Sequence, residues 1–533
     1  MPRISKFSPL VLLILDGWGF SKQLLGNAIL QSKTPNLDSI RQKYPFALLQ
    51  ASGLATGMDW GEAGNSEIGH VTIGAGRQVE QYSLRINKAI KNGRFFNLPS
   101  LTGAFDHAVK NNSTVHLVGL LTSGSVHASF EHIVALLQMA EQKLPSNNQN
   151  LVNLHLFLDG RDSGQHEGIE LIKKLQAIIW SKNNVKIATI IGRDFAMDRN
   201  NNWDHTKTTY ELITQAYGKK VADGDILASI KSNYADNLTD SDIPPTVIAD
   251  YQGVKNGDAM IFFNFREDSM RQVVRSFVDP DEQFTVFSRM PLQKLYIASM
   301  TQYIGNPELH VVFGPPKIPN TITEVLSDQG LSQLHIAETE KYAHLTYFFN
   351  GITNTQYQGE TDIFIKSDGG PIKEPEMEAE KITNKVIEEI DRNGYEFIVI
   401  NFANGDILAH EGNLENAKKG VAFVDTMIGR LQDKILDRDG IMVITADHGN
   451  IESMTYKSSG ETETKHETNP VPFYLIGREF MTFKDEQEIK REEQTISGIL
   501  ADIAPTILAL MGIPQPPEMT GQNLLSTLRK NGI

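Results

Sequence analysis

The chain contains no cysteine. That single absence excludes disulfides, thiolate metal ligands and a cysteine nucleophile. Long apolar runs are missing too. The longest near the N-terminus, Leu10 to Leu15, is far too short to span a bilayer and ends in Asp16. No signal-peptide cleavage pattern follows it, so the run reads as a buried strand, and a cytoplasmic protein without membrane association is expected. Positive charge is in deficit. Lys and Arg number 50 against 65 Asp and Glu, and the resulting net charge of −15 is opposite to what a nucleic-acid backbone selects. An anionic small substrate stays compatible with this balance, because a local cluster of arginines overrides the global sign. Internal repeats, long low-complexity tracts, basic stripes and lipidation motifs are also lacking, so no standing macromolecular partner is expected.

What is present is an ordinary globular composition, 40% hydrophobic and 22% charged, in a chain of 533 residues. That length exceeds what one hydrophobic core organises, and two domains are expected. Short apolar runs recur at Leu10–Leu15, His116–Leu121, Leu154–Leu158, Lys186–Ile191, Met260–Phe265, Phe397–Phe402 and Ile441–Thr445. Helical periodicity fills the segments Phe130–Gln142, Glu376–Arg392 and Asn416–Lys434. Apolar strands alternating with helices predict an α/β protein with mostly parallel sheets. The polar stretches Pro145–Asn150 and Lys366–Pro375 read as surface loops.

Asp16, Asp406 and the pair Asp447-His448 each follow an apolar run. Open α/β sheets bind ligands beyond the carboxyl ends of their strands, so three such ends predict one shared site built from both ends of the sequence. Residues 1–80 and 315–533 then form one discontinuous domain. Residues 81–314 form an inserted domain, with hinges near Glu80 and Gly314.

The candidate ligands are Asp16, Ser66, Asp406, His410, Asp447, His448 and His466. Carboxylates and imidazoles suit Mn²⁺ or Zn²⁺ better than Ca²⁺, and seven ligands are too many for one tetrahedral ion. Two ions fit better, because together they polarise a phosphoryl group and stabilise both the attacking and the leaving oxygen. A serine hydroxyl needs a base or a metal to become a nucleophile, and coordination would activate Ser66. Taken singly, an aspartate after a strand reads equally as a turn or cap, and Ser66 as a helix cap that Glu67 or His70 helps to orient.

The segments VLLILDGWGF at Asp16, GNSEIGH at Ser66, FLDGRD at Arg161-Asp162, AMDRN at Arg199 and NFREDSMRQ at Arg266 occur in that order. AETEKYAHLTYFFNG at Lys341, NFANGDILAH at Asp406 and His410, TADHGN at Asp447-His448 and KHETNPVPF at His466 follow. With these motifs the chain resembles, essentially from end to end, the cofactor-independent phosphoglycerate mutases of the alkaline phosphatase superfamily. The resemblance implies an alkaline-phosphatase-like metal domain and an inserted α/β substrate domain. It implies one ion at Asp406, His410 and His466, and another at Asp16, Ser66, Asp447 and His448. The ion implied is usually Mn²⁺, with Mg²⁺, Co²⁺ or Zn²⁺ as alternatives, and no bisphosphoglycerate is needed. Substrate contacts implied are His127, Arg161, Asp162, Arg193, Arg199 and Arg266, with Lys341 of the metal domain reaching the phosphate. Arginine forks pair bidentately with phosphate or carboxylate, while a lysine acts as a point charge.

The activity implied is interconversion of 3-phosphoglycerate and 2-phosphoglycerate in glycolysis and gluconeogenesis. Ser66 is the nucleophile that becomes phosphoserine, and Asp162 is the general base and acid towards the glycerate hydroxyls. Domain closure keeps water out, and a monomer with a small-molecule partner is expected. The alternative is a metal-dependent phosphatase, or a mutase of the same superfamily acting on another phosphorylated metabolite. Some positions depart from the family pattern. The loop usually reading DGGVH is Ser123-Gly124-Ser125-Val126-His127, and Asp194 stands where tyrosine is usual. Gly405 replaces the proline of an NPD turn, which predicts a looser turn before the metal carboxylate. Ser269 replaces the second arginine of an FRPDR motif and removes a cation, with Arg271 two residues away as a candidate substitute.

Overall fold

The computed structural model describes residues 9–144, 151–180, 182, 184–367, 374–392, 394–456 and 459–530. The expected loop Pro145–Asn150, and residues 368–373 of the stretch Lys366–Pro375, lie outside the described residues. The chain divides into two compact units, Met1–Glu80 with Pro316–Ile533, and Gln81–Pro315. Pro315 goes with the second unit, one residue later than the sequence reading placed the join.

The first unit is built on an eight-stranded sheet. From edge to edge its strands are Glu360–Ile365, Gln333–Glu338, Phe397–Phe402, Leu10–Leu15, Ile441–Thr445, Val471–Ile476, Phe46–Gln50 and Ile496–Ile499. Val471–Ile476 is antiparallel to both neighbours, and the remaining pairs are parallel. Leu10–Leu15 sits at the centre with all six side chains buried, as a strand covered on both faces requires. Each such side chain contributes roughly 2 kcal/mol through burial.

Register places the chemistry. Ile14 lies opposite Asn401 on one neighbour and Thr445 on the other. Asp16, the Asp406 helix and Asp447 therefore leave the sheet at the same, carboxyl-terminal edge. Gly17 makes this crowding possible. Its φ is +69°, and a Cβ there would lie 2.7 Å from Asp406 Cα, so only glycine fits.

The second unit has its own eight-stranded sheet. Its order is Leu309–Phe313, Tyr296–Thr301, Ala259–Phe262, Val115–Leu121, Val152–Leu158, Val185–Gly192, Thr246–Ile248 and Lys219–Val221. Only Val185–Gly192 and Thr246–Ile248 pair antiparallel. The expected strand Met260–Phe265 ends early, at Phe262. Asn264 explains the early end, because its side-chain oxygen accepts from Leu120 N and takes over a ladder position, while Tyr303 Oη donates to Phe262 O. Among the described residues no helix is long and apolar enough to cross a membrane.

Candidate metal centre

Ser66 opens the helix Ser66–Ala75. The sequence allowed it to be the cap, but Asn65 takes that role, its side chain accepting from Ile68 N at 3.0 Å. Ser66 is thus the first helical residue, buried at 6% exposure, beside backbone N–H groups whose dipole favours an anion. Its Oγ lies 3.0 Å from Asp16 Oδ1, 3.1 Å from His448 Nε2 and 2.7 Å from Lys341 Nζ. Helix and strand edge come this close because Gly69 has no side chain: a Cβ there would stand 2.6 Å from Asp447.

Lys341 ties the cluster together. Its ammonium also donates to Asp16 Oδ1 at 2.6 Å and to Asp406 Oδ2 at 2.7 Å. Burial alone would depress the lysine, yet the charges of Asp16 and Asp406 hold it above its ordinary value. Burial would likewise raise Asp16, but the Lys341 charge and a His448 hydrogen bond keep its carboxyl well below the carboxylate range. Three buried carboxylates, Asp16, Asp406 and Asp447, face this one ammonium. The surplus of negative charge draws protons, and His448 is pushed up to about 9 by Asp447 and Asp16 against the effect of burial.

The donor atoms fit metal ions. Asp406, His410 and His466 offer ligand atoms within 4.8 Å of one another, as do Asp16, Asp406 and His448. Asp406 and His410 stand one turn apart on the helix Asn404–Glu411 and so share a face. His410 Nε2 and His466 Nε2 lie 3.0 Å apart, each 3.2 Å from Asp406 Oδ1. His466 turns its other nitrogen, Nδ1, to Gly64 O at 2.8 Å, which leaves Nε2 as the lone-pair atom of the neutral ring. With both rings neutral and their Nε2 lone pairs turned inward, the two nitrogens and the carboxylate oxygen present three donor atoms to one point, an arrangement that a cation among them satisfies. Asp447 Oδ2 is buried without a hydrogen bond, 3.6 Å from His448 Nε2, and is a second position in need of a positive partner.

All seven ligand candidates thus gather in the first unit, with Lys341 among them. Sequence reasoning missed the asparagines that hold the carboxylates. Asn401 donates to Asp16 Oδ2 at 2.7 Å, and Asn450 donates to Asp406 Oδ1 at 2.9 Å. His70 Nδ1 bonds Ser66 O at 2.8 Å and lies 3.3 Å from Asp447 Oδ2, so it links Ser66 to Asp447. Gly405 does not loosen its turn. It sits in the first turn of its helix, where a Cβ would come 2.4 Å from Asp16 O.

The remaining candidates form a second cluster, within the second unit. Arg193, 9% exposed, donates to Asp159 Oδ1 at 2.5 Å and to Asp162 Oδ2 at 2.8 Å. Arg161 pairs with Asp194 at 2.5 Å, which gives the residue at the tyrosine position an ionic role. Arg199 and Arg266 both reach Asp268, at 2.5 and 3.3 Å. His127 Nε2 lies 3.9 Å from Asp162 Oδ2 and its Nδ1 lies 3.0 Å from Ser269 Oγ. Arg271 turns to Glu267 at 3.7 Å.

A family model described as the metalloenzyme superfamily matches residues 8–515. The 2,3-bisphosphoglycerate-independent phosphoglycerate mutase of Clostridioides difficile (strain 630) is 41% identical, over 97% of this chain and 99% of its own length. The 2,3-bisphosphoglycerate-independent phosphoglycerate mutase 1 of Methanosarcina barkeri is 42% identical, over 97% of this chain and 98% of its own. Among solved structures, a Leishmania mexicana phosphoglycerate mutase crystallised at low cobalt concentration matches with a TM-score of 0.69 and 27% identity. That match covers 97% of this chain and 98% of the other.

Proposed function

The chain belongs to the 2,3-bisphosphoglycerate-independent phosphoglycerate mutases, metal-dependent isomerases, and from that premise we propose that it interconverts 3-phosphoglycerate and 2-phosphoglycerate through a phosphoserine at Ser66. One observation supports the route above others: a serine at a helix N-terminus with Asp16, His448 and Lys341 all within 3.1 Å of its Oγ. Asp406, His410 and His466 would hold one divalent ion, and Asp16, Ser66, Asp447 and His448 another; the donor set suits Mn²⁺ or Zn²⁺, and the family resemblance favours Mn²⁺. When bound, the ions polarise the phosphoryl group and make the serine hydroxyl more acidic.

The chain's own residues do the rest. Ser66, its hydroxyl proton already released, attacks the phosphorus of 3-phosphoglycerate through Oγ while the bond to the 3-oxygen breaks, and Asp162, which enters this step protonated, delivers the proton that the leaving oxygen needs. Lys341 and the helix N-terminus stabilise the charge on the phosphoryl oxygens throughout. The glycerate turns, its 2-hydroxyl gives a proton back to Asp162, and the 2-oxygen takes the phosphoryl group from Ser66. Proton and phosphoryl group are both returned, so no primer is consumed. Arg161, Arg193, Arg199, Arg266 and His127 hold the glycerate in this reading. Their charges now rest on Asp159, Asp162, Asp194 and Asp268, and a substrate carboxylate would share them. A monomer in the cytoplasm completes the proposal.

Trapping tests the route. Enzyme loaded with Mn²⁺ and quenched during turnover should carry one phosphoryl group on the peptide containing Ser66. Phosphate on another residue, or none with turnover intact, would overturn it.

A further inference from the structure

Ser269 stands where the family resemblance calls for an arginine, and the structure gives the serine a partner of its own. Its side chain is 3% exposed, and its Oγ lies 3.0 Å from His127 Nδ1. The backbone sets up the meeting, since His127 O accepts from Phe265 N at 2.8 Å, which brings the segment carrying Ser269 against the histidine ring. Ser269 N is already engaged by Asp268 Oδ1 at 2.8 Å, which fixes the residue further.

Which atom carries the hydrogen follows from the surroundings. The charged groups acting on His127 are Arg193, Asp162, Arg266 and Asp268. Burial, reinforced by the Arg193 charge, holds the imidazole down to about 4 despite Asp162, so the ring is neutral near pH 7 and has one N–H. Asp162 Oδ2 lies 3.9 Å from Nε2, and a carboxylate on that side favours an N–H and disfavours a lone pair. Nδ1 is then the acceptor, and the serine hydroxyl is the donor available to it.

We infer that Ser269 is a positioning residue: its hydroxyl donates to His127 Nδ1 and fixes the Nε2–H tautomer, so that the glycerate pocket meets a substrate oxygen with a neutral N–H donor. The substitution exchanges a cation for a hydrogen bond that adds no charge. This assignment rests on the mutase reading for its substrate, but the tautomer is a property of the second unit alone.

Histidine-selective ¹⁵N NMR on the full chain tests it, with His127→Gln assigning the signal. The wild-type ring should show a lone-pair Nδ1 and a protonated Nε2 at neutral pH. Ser269→Ala should mix the tautomers and move the His127 titration midpoint upward by about one pH unit, since the lost donor had favoured the neutral ring. Ser269→Thr, which keeps the hydroxyl, should restore both. In turnover, Ser269→Ala should raise KM for 3-phosphoglycerate several-fold with a smaller change in kcat. An Nδ1–H tautomer in the wild type, or an unchanged tautomer and midpoint in Ser269→Ala, would overturn the assignment. The wild-type spectrum decides the matter even if Ser269→Ala does not fold. A wild type inactive on 3-phosphoglycerate but showing the expected tautomer would contradict the mutase reading and leave this one standing.

Discussion

Lys341 Nζ lies 2.7 Å from Ser66 Oγ while also bonding Asp16 and Asp406, so one ammonium touches the proposed nucleophile and two candidate ligand carboxylates. In the proposed route it neutralises charge on the phosphoryl group while that group sits on Ser66. Lys341→Met, of similar length but neutral, should lower kcat by about 100-fold or more, the usual cost of losing one donor aimed at transition-state charge. Steady-state kinetics at saturating metal would check it. A loss of less than about threefold would remove Lys341 from the chemistry.

Ser66→Ala should abolish turnover without unfolding the protein, because Asn65 and not Ser66 caps the helix. Circular dichroism and thermal melting should match the wild type. Measurable mutase activity in the variant would rule out phosphoserine.

Asn65→Ala should cost about 1 kcal/mol of stability through the lost cap. It should also lower kcat, since the same cap sets the first turn that presents Ser66. Denaturant titration and kinetics on one preparation separate the two effects. A destabilised variant with full activity would show that the cap matters only to the fold.

Metal content offers an independent readout. His466→Ala should lose about one bound divalent ion per chain, because His466 and His410 complete a donor set that Asp406 alone cannot replace. Elemental analysis after dialysis would check this, and unchanged metal content would take His466 out of the ligand set.

Asp16, Asp406 and the pair Asp447-His448 were legible in the sequence because each follows an apolar strand, and strand ends in a parallel sheet share one edge; His410 and His466 stand elsewhere, and only the family resemblance assigned them to an ion. Asp16, Asp406 and Asp447 needed no more than that. Asn401 and Asn450 were not legible. Asparagine is common near turns, and only the register of Ile14 against Asn401 shows that this one faces Asp16 Oδ2. Ser66 was legible as a candidate nucleophile but not as distinct from the cap, since either residue of Asn65-Ser66 fits a cap by composition. The role of Ser269 was invisible, because its partner His127 lies 142 positions away in the chain. The π-helix at His344–Phe348 had no signature either, as its backbone follows from packing and not from local propensity.

Stability should fall on mild acidification through His132 of the second unit. Burial holds its imidazole at about 4, and it bonds Asn87 Oδ1 at 3.0 Å. Between about pH 6.5 and 4 the unfolded chain takes up a proton there that the folded chain refuses, so stability drops as pH falls through that window and levels off below it. The shift corresponds to at most on the order of 3 kcal/mol. Urea midpoints at pH 7 and pH 5 should differ less in His132→Gln than in the wild type. Equal slopes would take His132 out of the acid response.

The most direct test of the mutase reading is turnover of 3-phosphoglycerate by metal-stripped protein, re-supplied with Mn²⁺ and given no bisphosphoglycerate. Both 2-phosphoglycerate and free phosphate should be followed. The account predicts rapid 2-phosphoglycerate formation with little free phosphate. Free phosphate as the main product, or no product with any divalent ion, would contradict it.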